Sequence, residues 1–267
     1  IDWQFFFLTW ELRGKYPAIL SQPAARELFD DANTLLDQII ARGSLRAEGA
    51  YGLWPARSDG DDIVIDPGRG RVTVPMLRQQ TAKPAGRPNR CLADYLAPAA
   101  DHLGAFAVAI HGAEELAATC QDDHDDYQAI MVKALADRLA EAFAEHTHLQ
   151  ARRHWYEPDA DPVIEDLHAE RFRGIRPAFG YPASPDHSLK RTLCGLLGAG
   201  RLGMALTESC AMTPAASVSG LLFAHPSSRY FTVGRIGKDQ AQDYARRRGM
   251  TLPEAERWLR PNLAYDP

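Results

Sequence analysis

The apolar positions of this chain change period several times, and each change marks an element. From Ser21, a candidate N-cap with Pro23 in the first turn, Leu28, Leu35, Leu36, Ile39 and Ile40 recur at helical spacing as far as Gly43, which predicts one amphipathic helix stopped by a glycine. Two β-like runs follow, Asp62 to Asp66 and Arg71 to Val74. Pro67, Gly68, Arg69 and Gly70 join them, so they read as a hairpin. Gly104 to Gly112 is a short apolar run bounded by glycines and reads as a buried strand. The longest helical stripe opens at the acidic run Gln121 to Tyr127, whose aspartates suit a helix N-terminus. It continues through Ile130, Met131, Ala134, Leu135, Leu139, Ala142 and Phe143, with Asp137, Arg138, Glu141 and Glu145 among them. Most of those charges read as a solvated face, and Glu141 as the one turned toward a ligand. His146 to Pro162 ends this helix, and His146 and His148 read as solvent-facing.

A short helix, Val163 to Arg171, then carries Glu170 up to a segment of a different kind, RGIRPAFGYPASPDH from Arg173 to His187. Gly174 and Gly180 allow conformations closed to other residues, while Pro177, Pro182 and Pro185 fix the chain between them. The segment reads as a rigid loop. It is either a crossover between elements or a polar cradle that holds a small ligand through Arg173, Arg176 and its backbone groups.

Beyond it, Ser184 and Pro185 read as the cap and first position of a helix through Leu189, Leu193, Leu196 and Leu197. Gly198 to Gly203 (GAGRLG) matches the dinucleotide fingerprint in form, but it follows a helix rather than a strand and reads as a turn. Val218 to His225 and Arg229 to Ile236, separated by Pro-Ser-Ser, predict a second hairpin. Two helices close the pattern, Asp239 to Arg248 before Gly249, and one opened by a capping box of Thr251 and Glu254. Hairpins in place of βαβ repeats predict an α+β fold with a mainly antiparallel sheet.

Composition narrows the function. The 267 residues are 45% hydrophobic, enough for a substantial core, and the net charge of -5 carries no basic footprint for nucleic acid or a membrane surface. The opening IDWQFFFLTWEL is aromatic, but it is short, has no basic flank and contains Asp2 and Glu11. It reads as neither signal peptide nor membrane span, and its rings are expected to pack back onto the body. Cys91, Cys120, Cys194 and Cys210 are widely spaced and read as reduced core thiols of a cytoplasmic protein. The missing initiator Met predicts a fragment of a longer chain.

Several long strings carry a family likeness. Arg176 to His187, Leu206 to Gln240 and Asp243 to Asp266, with Ile1 to Trp10, Leu77 to Thr81, Cys91 to Tyr95 and His124 to Glu145 upstream, resemble the C-terminal activation domain of cobalamin-dependent methionine synthase. The resemblance covers essentially the whole chain. It implies one C-shaped domain over residues 1–267, a twisted antiparallel sheet flanked by helices, and binding of S-adenosylmethionine (SAM). By the same likeness Asp2, Arg176, Tyr230 and Phe231 contact SAM, Gly180 and Tyr181 shape the loop around it, and Glu141 and Glu170 match acidic residues near the site. Bland readings stand beside these: Asp2 as a helix cap, Tyr230 as a strand aromatic, Glu170 as a helix-end charge.

The family holds cobalamin through D-x-H-x-x-G and zinc through cysteines. Here Asp122 and His124 are followed by Tyr127 where glycine is required, so cobalamin and zinc are assigned to other domains of the parent enzyme. No catalytic residue and no metal ligand are expected in this chain. The implied task is reductive remethylation of inactive cob(II)alamin, with the cobalamin domain and flavodoxin or an equivalent flavoprotein as partners. A docking module that has lost its ligand, and a free-standing metal enzyme built on His146, His148 and the acidic run, are the competing readings.

Overall fold

The element that every layer meets is β4, Asp101–His111, whose interior is buried on both faces. The computed structural model describes residues 1–84 and 86–267. β4 lies between β1 (Arg46–Asp59) and β7 (Ser217–Leu222), and β2 (Asp62–Ile65) and β3 (Val72–Pro75) continue outward in the order β3-β2-β1-β4-β7. Every pairing in this five-stranded sheet is antiparallel, and β5 (Ala205–Leu206) and β6 (Met212–Thr213) form a separate two-stranded antiparallel ribbon. The α+β architecture is the expected one.

Alternation along β4 divides the core. Leu103, Ala105, Ala107 and Ala109 enter one cluster with Leu189 and Leu193, the latter on α6 (Lys190–Leu197), while Phe106, Val108 and Ile110 face α4 (Asp126–Trp155). Alanines on the first face let α6 approach closely; bulkier side chains fill the other face, each stabilising by about 1.5 to 3 kcal/mol when fully buried. α4 runs for 30 residues, about 45 Å, with Asp125 accepting from the Gln128 N–H at its start. Against it pack α3 (Ala113–Asp122), α2 (Pro23–Arg42) and a short α1 (Trp3–Thr9). The N-terminal rings fold back as expected: Phe6 and Phe7 are fully buried, and Trp3 meets Phe29 edge-on at 4.7 Å.

A third, smaller core lies under α7 (Lys238–Arg248) and α8 (Leu252–Leu259), where Val233, Ile236, Tyr244, Ala255 and Leu259 meet Leu77. The predicted capping box of Thr251 and Glu254 is formed, and Gly43 and Gly249 end their helices in the left-handed conformation. The four cysteines are free. Among the described residues no helix is long and apolar enough to cross a membrane, and no group of three His, Cys, Asp or Glu is placed to hold a metal ion.

The structure corrects several boundaries. α4 ends at Trp155, within the His146 to Pro162 string, and its last turns bury His148, which reads in the sequence as solvent-facing, while His146 stays exposed. Arg229 to Ile236 is not the second arm of a hairpin. The far edge of β7 is taken by the loop before α6, and the Arg229 stretch runs on as irregular chain, bonding through Val233 N–H to Pro182 O and Ile236 N–H to Asn262 O. Ser184 and Pro185 do not start a helix; Asp186 caps a single 3-10 turn, His187–Leu189, ahead of α6. The helix before Gly43 is capped at Gln22 rather than Ser21, and the helix predicted from Val163 to Arg171 shrinks to α5, Ile164–His168.

Candidate functional site

Arg173 to His187 forms the wall of the site because both of its sides are tied down. On one side Ile175 and Phe223 exchange hydrogen bonds of 3.1 and 3.0 Å, and Leu221 N–H donates to Pro177 O at 2.9 Å, so the loop extends the sheet past β7. Pro177, Pro182 and Pro185 prevent a regular strand there. Within the loop Gly180 N–H donates to Ser184 O and Ser184 N–H to Tyr181 O, a tight turn that lifts the Tyr181 ring into the open. Gly180 sits at φ +91, and a Cβ there would run into the His187 ring. On the other side Asp186, 1% exposed, accepts from Ser188 N–H at 2.8 Å and from the Tyr244 hydroxyl at 2.7 Å, with the Arg248 guanidinium 3.4 Å away.

Two adjoining cavities open along this wall. One, of about 680 Å³, is lined by Phe106, Phe179, Met212, Ser219, Tyr230 and Phe231; the other, of about 740 Å³, by Asp2, Phe5, Arg138, Glu145, His168 and Glu170. Glu141, Arg176 and Tyr181 line both, so the two are halves of one cleft with Arg176 at the waist. The halves differ in charge. Asp2, Glu141, Glu145 and Glu170 make the second half acidic. At the far end of the first, the buried Lys190 ammonium donates to Cys210 O at 3.2 Å and lies 3.2 Å from His187 Nδ1, and burial pulls the proton affinity of Lys190 down.

Arg176 is held from several directions. Its Nη2 lies 2.7 Å from Glu145 Oε2 and 3.7 Å from Glu170 Oε1, and its backbone N–H donates to the Tyr230 hydroxyl at 3.1 Å. Nη1 is buried without a hydrogen-bond partner. Glu170 sits at φ 49, a left-handed conformation uncommon outside glycine, just after α5. Asp2 both caps α1, accepting from Gln4 N–H at 2.9 Å, and lines the acidic half, so its role as a cap leaves it at the edge of the cleft.

Of the residues singled out in the sequence, Asp2, Glu141, Glu170, Arg176, Tyr181, Tyr230 and Phe231 line the cleft, and Gly180 lies behind it in the turn. Glu145 and the Lys190–His187 pair were missed. Glu145 follows Glu141 by one helical turn on the same face, and that spacing was the available signal. Such a cleft suits a zwitterion with a flat apolar part: a carboxylate for Arg176, cations for the acidic half, and an aromatic shelf at Tyr230 and Phe231.

Below the cleft, His148 is 1% exposed with both ring nitrogens unpartnered, edge-on to Phe172 at 5.2 Å. Burial, with Arg176 and Arg152 nearby, pushes its pKa down to about 3. An unfolded imidazole titrates near 6.5, so between these values the unfolded chain takes up a proton that the folded chain refuses. Stability is therefore complete above about pH 6.5 and falls as the pH drops toward 3. Between pH 7 and pH 4.5 this group is expected to remove about 2 to 3 kcal/mol. Urea titrations at both values check it: His148→Leu should lose that much less than the parent chain, and an equal loss in both would assign the effect to other groups.

The crystal structure of the MetH reactivation domain bound to AdoHcy superimposes with a TM-score of 0.95 at 50% sequence identity, covering 100% of this chain and 86% of that one. The family described as vitamin B12 dependent methionine synthase, activation domain, matches residues 1–249. The chain belongs to the activation-domain family of vitamin B12 dependent methionine synthases.

Proposed function

We propose that the chain binds SAM in the double cleft and presents its methyl group to cob(II)alamin held by another domain of the parent enzyme. The guanidinium of Arg176, 16% exposed where the two halves of the cleft meet, carries the reading. A ligand carboxylate can reach it there with a charge-assisted bond. That the similar reactivation domain holds AdoHcy, which is SAM less its methyl, supports the same ligand here.

When bound, SAM would supply a methyl already activated on a positively charged sulfur; with one electron from a reduced flavoprotein such as flavodoxin taking cob(II)alamin to cob(I)alamin, the cobalt would accept that methyl and AdoHcy would leave. The chain's own residues then have positioning work alone. Arg176 anchors the carboxylate, Tyr230 and Phe231 support the adenosine, and the Gly180–Tyr181 turn offers backbone groups to the adenine edge. Asp2, Glu141 and Glu170 balance the ligand's cations. No nucleophile or general base is required, because orientation and exclusion of water suffice for an activated methyl. On this reading residues 1–267 act as one domain in the cytoplasm, and cobalamin and zinc are held elsewhere in the parent enzyme.

The chain alone is expected to bind SAM without turning it over. Incubation with methyl-labelled SAM, first alone and then with a cobalamin domain and reduced flavodoxin, should transfer label to cobalamin only in the second case. Transfer by the chain alone above the rate in free solution would contradict the reading.

A further inference from the structure

From Glu157 to Gly174 the chain buries none of its residues, yet it walls the acidic half of the cleft with Ile164, Leu167, His168 and Glu170. Its two ends are fastened to each other. The Tyr156 hydroxyl donates to Arg173 O at 2.9 Å, and the Arg173 guanidinium lies 4.9 Å over the Tyr156 ring. Gly174 is pressed so close that a Cβ there would meet the Tyr156 hydroxyl and Phe223 O at 2.5 Å. Residues 157–172 therefore leave the body and return to it at one point, the form of an Ω-loop.

Between those ends the stretch is built as a unit and held loosely. Arg171 pairs with Asp166 at 2.9 Å and donates its backbone N–H to Asp166 O at 2.8 Å, which closes the chain on itself around α5. Among the described residues, Pro162 to Arg171 make one ion pair with the rest of the molecule, Glu170 with Arg176 at 3.7 Å, and no hydrogen bond. A segment with no buried apolar side chain opens at small cost in free energy.

Charge and apolar surface set when it closes. Residues 157–172 carry six carboxylates against Arg171 alone, and they share the cavity with Asp2, Glu141 and Glu145. Arg138 and Arg176 offset part of this repulsion, and a cation entering the cavity offsets more. Ile164 is 56% exposed and Phe5 of α1 54%, and both line this cavity, so closure takes apolar surface of each out of water.

We infer that residues 157–172 are a hinged strap that closes over the acidic half once a cationic group of the ligand enters it, retaining the ligand and excluding water. The inference rests on the reading of the cleft as a site for SAM and its relatives. Glu157 to Asp161 and Glu170 to Phe172 are the hinges.

The test is backbone hydrogen exchange on the 267-residue chain, read by mass spectrometry. The chain is measured free, with AdoHcy, and with 5′-methylthioadenosine, which carries no ammonium, each ligand at a concentration that calorimetry shows to be saturating. In the free chain the amides of Val163 to Arg171 should exchange about 100-fold or more faster than those around the buried Leu135 of α4. AdoHcy should slow them by about 10-fold or more, and 5′-methylthioadenosine by less than about 2-fold. Ile164→Ser should release AdoHcy about 3- to 10-fold faster, with association little changed. Exchange as slow in the free chain as in α4, exchange unaltered by bound AdoHcy, or release unaltered by Ile164→Ser would overturn the strap. Equal slowing by the two ligands would overturn its trigger. If calorimetry shows no uptake of AdoHcy, the reading of the cleft itself fails, and the strap has nothing to close on.

Discussion

Replacing Arg176 with alanine is expected to weaken AdoHcy binding by about 2 to 4 kcal/mol, the range for removing one member of a charge-assisted pair from a partly desolvated site. The substitution acts twice. It removes the donor proposed for the ligand carboxylate, and it leaves Glu145, 14% exposed, with no cation at 2.7 Å. A buried carboxylate deprived of its partner takes up a proton more readily, so Glu145, whose proton affinity burial already raises, should be protonated at a higher pH in the variant than in the parent chain. Arg176→Lys should recover part of the affinity, because an ammonium restores the charge but lacks the fork that serves Glu145 and the ligand together. Calorimetry with AdoHcy is the measurement, and an unchanged affinity in the alanine variant would place the ligand carboxylate elsewhere.

The second large effect is expected far from any ligand atom. Asp186→Ala should lower folding stability by about 3 to 5 kcal/mol, since the carboxylate is 1% exposed and its loss strands the Tyr244 hydroxyl, the Ser188 N–H and the Arg248 charge at once. Ligand affinity should fall too, because Asp186 fastens the end of the Arg176 loop to α7. Asp186→Asn keeps an acceptor of the same shape and should lose less than half as much. Urea denaturation of the two variants separates the hydrogen bonds from the charge, and a loss below about 1 kcal/mol in the alanine variant would show that the loop is held by its other contacts.

How well the sequence foretold these features depended on how local their causes are. The Thr251–Glu254 box, the Gly43 stop and the β2–β3 hairpin are decided by residues a few positions apart, and each is formed. β1 escaped notice because Gly49, Gly52 and Pro55 break its β pattern. Those residues fit there for tertiary reasons: at Gly49 a Cβ would meet Val108 at 2.8 Å, and at Gly52 it would enter the Trp54 ring. Arg229 to Ile236 has β composition yet no strand to pair with, since the loop at Ile175 and Pro177 already occupies the edge of β7. In the site, the forked cation and the glycine turn were legible as residue types. Glu145 was legible only as a charge one helical turn beyond Glu141, because its pairing comes from Arg176, which only the packing of the loop on α4 brings to it. His148 was misread for the same reason: nothing near it in sequence shows that Phe172 will cover it.

The cleft takes Asp2 from the front of the chain and Tyr230 and Phe231 from near its back. During synthesis at roughly 5 to 20 residues per second, the front half therefore waits on the order of ten seconds or more before its other wall exists. Ligand cannot template the early stages of folding, since a nascent chain has no complete cleft to offer. A ligand of the cleft can shift the balance only at the last step, by mass action on a chain that has already closed its sheet and docked α7 and α8. A variant that slows the first steps of folding should then gain nothing from added ligand, whereas one that loosens the terminal helices should be rescued by it.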